Sequence, residues 1–110
     1  MNVYLKAIEE LETRGWGKHR LLDEKTGCVC IVGAVALAAG MSEDDLLRID
    51  LSGNENVYML PEVRRLNEVV KSRNLADYMG PIDRAWEFND DVNDVSDVKD
   101  LLAVAAQETE

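Results

Sequence analysis

The sequence "CIVGAVALAAGM", residues 30–41, is the longest apolar run in the chain. It is shorter than the ~20 residues that a helix needs to cross a bilayer, so it predicts a buried helix and no membrane span. Gly33 and the alanines after it have little side-chain bulk, so other helices can approach closely. Gly40 suits the end of the helix, because glycine adopts a positive φ angle without strain. We therefore predict that this run forms the central helix of the protein.

Apolar residues recur at helical spacing on both sides of this run. The predicted helices cover residues 3–13, 41–49, 61–73 and 81–88 and the segment from Ser96 onward. Capping residues support two of these starts, because Ser42 and Ser96 are good N-caps. Residues 1–110 are therefore predicted to form one all-α domain, a bundle of about five helices around the Gly/Ala-rich central helix.

Residues 19–31 leave two alternatives open. The segment "DEKTG", residues 23–27, is typical of a turn, so its two flanks could pair as a short hairpin. Alternatively, "CVCIV" starts the central helix directly. We favour the helix, because small residues continue through Gly40.

The net charge is -10 over 110 residues. Such a charge repels nucleic-acid backbones and anionic membrane surfaces, so we expect no direct nucleic-acid or membrane partner. It favours basic partners, including proteins that bind nucleic acid. The simpler interpretation is that the charge only keeps the protein soluble. Cys28 and Cys30 cannot form an unstrained bridge with each other, and no secretion signal is visible, so free thiols in a cytoplasmic protein are expected.

The acids concentrate in the last quarter of the chain. Residues 83–110 hold nine acids and two bases, a net charge of -7. Trp86 and Phe88 lie beside these acids, and an aromatic ring next to carboxylates can anchor a basic protein. The predicted partner-binding residues are Asp83, Trp86, Glu87, Asp90, Asp91, Asp94 and Asp97. The alternative is that the two rings are core residues that hold down the last helix.

The segment "NDDVNDVSDVKD", residues 89–100, superficially resembles a calcium loop. It has Asp94 where the sharp turn needs glycine, and it ends on Asp100 where a bidentate glutamate is needed. Asp94 and Asp97 instead lie near a helix start, where carboxylates meet unpaired N–H groups. The two cysteines and one histidine are also too few and too closely spaced for a zinc site. We expect no metal and no cofactor.

Cysteine-dependent catalysis is a second functional hypothesis. Cys30 or Cys28 with His19 and Asn89 would supply a nucleophile, a base and an orienting amide. Cys30 lies in an apolar run, which favours an inert core thiol instead. A self-associating structural protein is a third hypothesis, in which the Gly/Ala-rich helix forms an interface between copies.

Three segments, "RGWGKHRLLDEKTGCVCIVGAVALAAG", "AWEFNDD" and "SDVKDLLAVAA", together resemble a small uncharacterised family of actinobacterial and actinophage proteins. The matching positions are Gly15, Trp16, Gly27, Cys30, Gly33, Ala34, Asn89, Asp90, Ser96, Val98, Leu101 and Leu102. The resemblance implies an all-α fold and a phage origin, but no activity. In this family a cysteine often follows the tryptophan, and here that position is Gly17, which weakens the catalytic hypothesis.

The Asn89–Asp90 pair is typical of a sharp turn whose side chains cap nearby N–H groups. A structural lock between Trp16, Cys30, Gly33, Asn89 and Asp90 would explain the motif without chemistry. The sequence thus favours a non-enzymatic, cytoplasmic, phage-encoded protein that binds a basic host protein, in its sharpest form as a nucleic-acid mimic.

Overall fold

A computed structural model describes residues 2–18, 20–52, 60–72, 85–92 and 94–108. Over these residues the fold is all-α, which confirms the predicted class, and it comprises six helices. They are α1 (Val3–Arg14), α2 (Ile31–Ala38), α3 (Glu43–Ser52), α4 (Pro61–Ser72), α5 (Ala85–Asp91) and α6 (Val95–Glu108).

Helix α2 lies at the centre of the domain, as its composition predicts. Residues 31–36 are all buried, and the helix packs against α1, α4 and α5. Helix α6 packs against α1 and α4. A Schellman pair ends α2, because Gly40 N donates to Leu37 O and Met41 N donates to Ala36 O. Gly40 has the expected positive φ angle, +111°.

Gly33 is where the centre of the fold is most tightly packed. A Cβ atom added at Gly33 would lie 2.1 Å from the carbonyl oxygen of Leu21. The backbone of residues 20–22 therefore lies directly on the first turn of α2. Only glycine permits this approach, because the obstacle is backbone and cannot rotate away.

Residues 19–31 combine both of the predicted alternatives. Leu22 forms an isolated antiparallel bridge with Val29, and Asp23 N donates to Cys28 O at 2.8 Å. This pairing closes the turn as a minimal hairpin. The helix then begins at Ile31, so the expectation that Cys28 and Val29 could already be helical is wrong.

Two predicted helix ends need correction. Helix α3 continues to Ser52, beyond the predicted end at residue 49, and Ser42 caps it reciprocally with Asp45. Helix α5 continues to Asp91, so residues 89 and 90 are helical and do not form the predicted turn. Residues 73 and 81–84, which were also predicted helical, lie outside the described residues.

The cap of α6 is also different from the predicted one. Helix α6 begins at Val95, and the carboxylate of Asp94 accepts a hydrogen bond from Ser96 N at 2.9 Å. Asp94 is therefore the N-cap, and Ser96 is already helical. This hydrogen bond lowers the pKa of Asp94.

We predict that Gly33→Ala lowers the free energy of unfolding by about 3 kcal/mol, at the upper end of overpacking costs. The reference variant is Gly40→Ala, where a Cβ meets no atom within 4 Å but the φ angle is +111°. Strain alone should cost about 1–2 kcal/mol there. Urea-induced unfolding measures both variants. Equal losses of unfolding free energy in the two variants would show that contact with Leu21 does not restrict position 33.

Candidate functional site

The site is built on the irregular segment between α1 and α2. Helix α1 ends at Gly15, and the chain then forms a parallel bridge between Trp16 and Val29. Gly17 N donates to Val29 O, and Val29 N donates to Gly15 O, both at 3.0 Å. The two ends of the segment are thereby held side by side at the start of α2.

Asn89, in the last turn of α5, is fully buried with 0 % of its surface exposed. Its Oδ1 accepts hydrogen bonds from the Trp16 indole Nε1 at 2.7 Å and from Ile31 N at 2.9 Å. Its Nδ2 donates to Gly17 O at 3.1 Å and to Asp90 Oδ1 at 3.3 Å. An amide side chain has two acceptor and two donor positions, and here all four are occupied.

These contacts also cap α2. Ile31 N is the first N–H group of the helix and has no intrahelical acceptor, so Asn89 supplies one. The Sγ atom of Cys30, the N-cap residue, accepts a weaker hydrogen bond from Gly33 N at 3.4 Å. Asn89, Trp16 and Cys30 thus meet at one point, which we call the Asn89 hub.

The surroundings of Cys30 in the hub disfavour cysteine-dependent catalysis. Burial raises the pKa of the Cys30 thiol to about 12, so the thiol is protonated at neutral pH. A protonated thiol is a poor nucleophile. His19, the base of the catalytic hypothesis, lies outside the described residues. All polar positions of Asn89 are used in internal hydrogen bonds.

The two aromatic rings of α5 differ in burial, which the sequence alone did not decide. Phe88 is buried, which confirms it as a core residue, whereas 37 % of the Trp86 surface is exposed. The core alternative is therefore wrong for Trp86. Asp90 lies one helical turn after Trp86, on the same side of α5.

Of the other predicted partner-binding residues, the structure describes the side chains of Asp94 and Asp97. Asp94 and Asp97 are exposed at the start of α6, which begins four residues after the end of α5. Asp83 lies outside the described residues, as do the side chains of Glu87 and Asp91. Trp86, Asp90, Asp94 and Asp97 are named the Trp86 surface below.

Neither a metal centre nor a membrane span is found in the part of the chain that the structure describes. No group of three His, Cys, Asp or Glu residues there is placed to hold a metal ion. No helix among the described residues is long and apolar enough to cross a membrane.

Sequence reasoning missed several polar side chains that hold the helices together. The Asp50 carboxylate accepts from Leu21 N at 3.2 Å and from Leu22 N at 3.3 Å. Asn67 Oδ1 accepts from Ala85 N, the first N–H group of α5, at 2.7 Å. These partners are 18 to 29 residues apart in sequence, and no local pattern marks them.

Comparison with protein families matches residues 2–108 to a family of unknown function, DUF6197. The match covers nearly the whole chain, so the protein belongs to this family. Comparison with curated proteins and with solved structures gives no match.

We predict that Asn89→Ala lowers the free energy of unfolding by at least about 3 kcal/mol, because it leaves the N–H groups of Trp16 and Ile31 and the carbonyl of Gly17 unpaired. Trp16→Phe removes one of these bonds. A double-mutant cycle measured by urea unfolding should give a coupling of about 1 kcal/mol or more. Additive effects would contradict a direct Trp16–Asn89 hydrogen bond of any energetic importance.

We predict that one of the two thiols reacts with a thiol-specific disulfide reagent in the folded protein at pH 8, and both react in denaturant. The reactive thiol is Cys28, which is partly exposed, because Cys30 is buried and protonated. Cys28→Ser should abolish the native-state reaction, whereas Cys30→Ser should leave it. Labelling of Cys30 in the folded protein would reopen the catalytic hypothesis.

Proposed function

We propose that this member of a family of unknown function is a non-enzymatic interaction protein that binds a basic protein through the Trp86 surface. The observation that carries the proposal is the exposure of Trp86. Leu5 and Trp86 are the large apolar side chains that the described part of the chain leaves more than a third exposed. Trp86 alone of the two lies in the acidic quarter of the sequence.

The other residues that the sequence singles out are used inside the domain, which supports the choice of Trp86. The Trp16 indole donates to Asn89, whose amide also bonds to the backbone of Ile31 and Gly17. The Sγ atom of Cys30 accepts from Gly33 N. Phe88, on the same helix as Trp86, is part of the core. A large aromatic ring that the core does not use is typical of a residue that anchors a partner.

The charge around Trp86 supports a basic partner. Asp90 is on the same side of α5, and Asp94 and Asp97 are exposed at the start of the next helix. Carboxylates around an aromatic anchor attract basic proteins and orient them during association. The ordinary cost of burying a charge is reduced where arginine or lysine pairs with it.

The proposal also specifies the kind of partner and the compartment in which the protein acts. The resemblance to actinophage proteins favours a phage-encoded protein that acts in the host cytoplasm. The net charge of -10 supports a host partner whose own ligand is nucleic acid, which the acidic surface would mimic.

Self-association through the Gly/Ala-rich helix is a weaker candidate. Residues 31–36 are buried within the domain, where they pack against its other helices. Of this helix only Leu37 and Ala38 are partly exposed, which leaves little surface for a second copy. A homo-oligomer would need another interface.

We predict that a basic host protein is captured from lysate by the immobilised protein at about 0.1 M salt and released at about 1 M, because the screening length falls from about 10 to 3 Å. Trp86→Ala should weaken the complex by about tenfold or more. Leu5→Ala is the matched control, because Leu5 is equally exposed, at 38 %. Affinities are measured by titration calorimetry with the purified partner.

The charge requirement is tested without disturbing the caps. Asp90→Asn, Asp94→Asn and Asp97→Asn together remove three charges, and asparagine at position 94 can still cap α6. The matched control neutralises three exposed acids elsewhere, Glu9→Gln, Glu24→Gln and Asp44→Asn. Equal weakening by both triple variants would mean that only net charge matters. Binding that is indifferent to Trp86, to these acids and to salt would refute the proposal.

A further inference from the structure

A cleft of about 540 Å³ lies between the first turns of α1 and α4, away from the residues of the Trp86 surface. Its volume is within the range of small-molecule sites, about 300–1,000 Å³. The lining residues are Asn2, Val3, Tyr4, Pro61, Glu62, Arg64, Arg65 and Glu68. Four of these eight residues are charged, and Val3 and Pro61 contribute apolar surface beside them.

The walls of the cleft are held in place by partly buried hydrogen bonds. The Tyr4 hydroxyl, on a side chain that is almost fully buried, donates to the backbone carbonyl of Glu62 at 2.7 Å. Asn2 Oδ1 accepts from Tyr4 N at 2.8 Å, and Asn2 Nδ2 donates to Ala106 O at 3.3 Å. The starts of α1, α4 and the end of α6 are thus connected, and the cleft is largely preformed.

Arg64 and Arg65 are the distinctive feature of the lining. They are the one pair of adjacent Lys or Arg residues in a strongly acidic chain, and both are exposed. Within the described residues neither arginine forms an ion pair, although Glu62 and Glu68 line the same cleft.

The charges of the lining select the class of ligand. An arginine guanidinium matches a carboxylate with two parallel hydrogen bonds. Glu62 and Glu68 balance the two arginines, so a ligand with several negative charges, such as a polyphosphate, would find too little unopposed positive charge in the lining. Val3 and Pro61 offer apolar contact to the rest of the ligand. We propose that the cleft binds a small organic monocarboxylate, with its carboxylate on Arg64 or Arg65 and its apolar body against Val3 and Pro61.

The test titrates the ¹⁵N-labelled protein with three probes and follows its amide resonances. Benzoate supplies a carboxylate and an apolar ring, benzamide supplies the same ring without charge, and inorganic phosphate supplies charge without a ring. We expect saturable shifts with benzoate, confined to residues 2–5 and 61–68, with a dissociation constant on the order of 1 mM. Benzamide and phosphate should each bind at least about fivefold more weakly.

Variants then assign the carboxylate contact. Arg64→Gln or Arg65→Gln should weaken benzoate binding at least about fivefold, by loss of a charge-assisted hydrogen bond. Lys71→Gln is the matched control, because Lys71 is an exposed base on the same helix but outside the cleft. Thermal unfolding should be nearly unchanged in all three variants, since these side chains are exposed.

Four outcomes would overturn the proposal. They are the absence of saturable shifts with benzoate, equal binding of benzamide, binding of phosphate as tight as that of benzoate, and equal loss of affinity in the Lys71 variant. The Trp86 surface takes no part in this experiment, so the result is independent of the proposed partner binding.

Discussion

The structure depends on the side-chain amide of one residue, Asn89. Its four hydrogen bonds join the last turn of α5 to the indole of Trp16, to the backbone of Gly17 and to the first N–H group of α2. A buried amide with all of its positions paired costs little, whereas a partly paired one is expensive. The amide therefore favours one arrangement of these segments over alternatives that bury the same apolar area.

The need for such a residue follows from the segment between α1 and α2. The described residues of this segment, 15–18 and 20–30, form no helix and only isolated bridges. Leu21, Leu22, Val29 and Cys30 are nevertheless buried in the core, so the backbone groups beside them require partners. Asn89 forms hydrogen bonds with Trp16 and Gly17 at one end of the segment. The Asp50 carboxylate accepts hydrogen bonds from the backbone N–H groups of Leu21 and Leu22. Gly33 allows the same backbone to lie on α2. Side chains from α3 and α5 thus replace the hydrogen bonds that a sheet would have supplied.

The helices were predictable because their signals are local, whereas the site was only partly predictable. Apolar spacing and capping residues gave α1, α2 and α4 within a few residues. Asn89 and Asp90 carry strong turn propensity, but hydrogen bonds to residues far away in sequence keep them helical. Trp86 and Phe88 are two residues apart and point to different sides of α5, and no local signal says which side faces the core. Asp50 and Asn67 act on partners that lie far away along the chain, so only the fold reveals them.

The burial of the motif residues determines which side chains remain available to recognise a partner or a ligand. Residues whose polar groups are saturated inside the domain can recognise nothing outside it without breaking the fold. Trp16, Cys30, Gly33 and Asn89 belong to this class, so the resemblance that they carry is informative about architecture and uninformative about ligands. Recognition must come from side chains that the architecture leaves exposed. Among the exposed side chains of the described residues, we have proposed two such sets, which are the ring of Trp86 with the acids of its surface and the two arginines of the cleft.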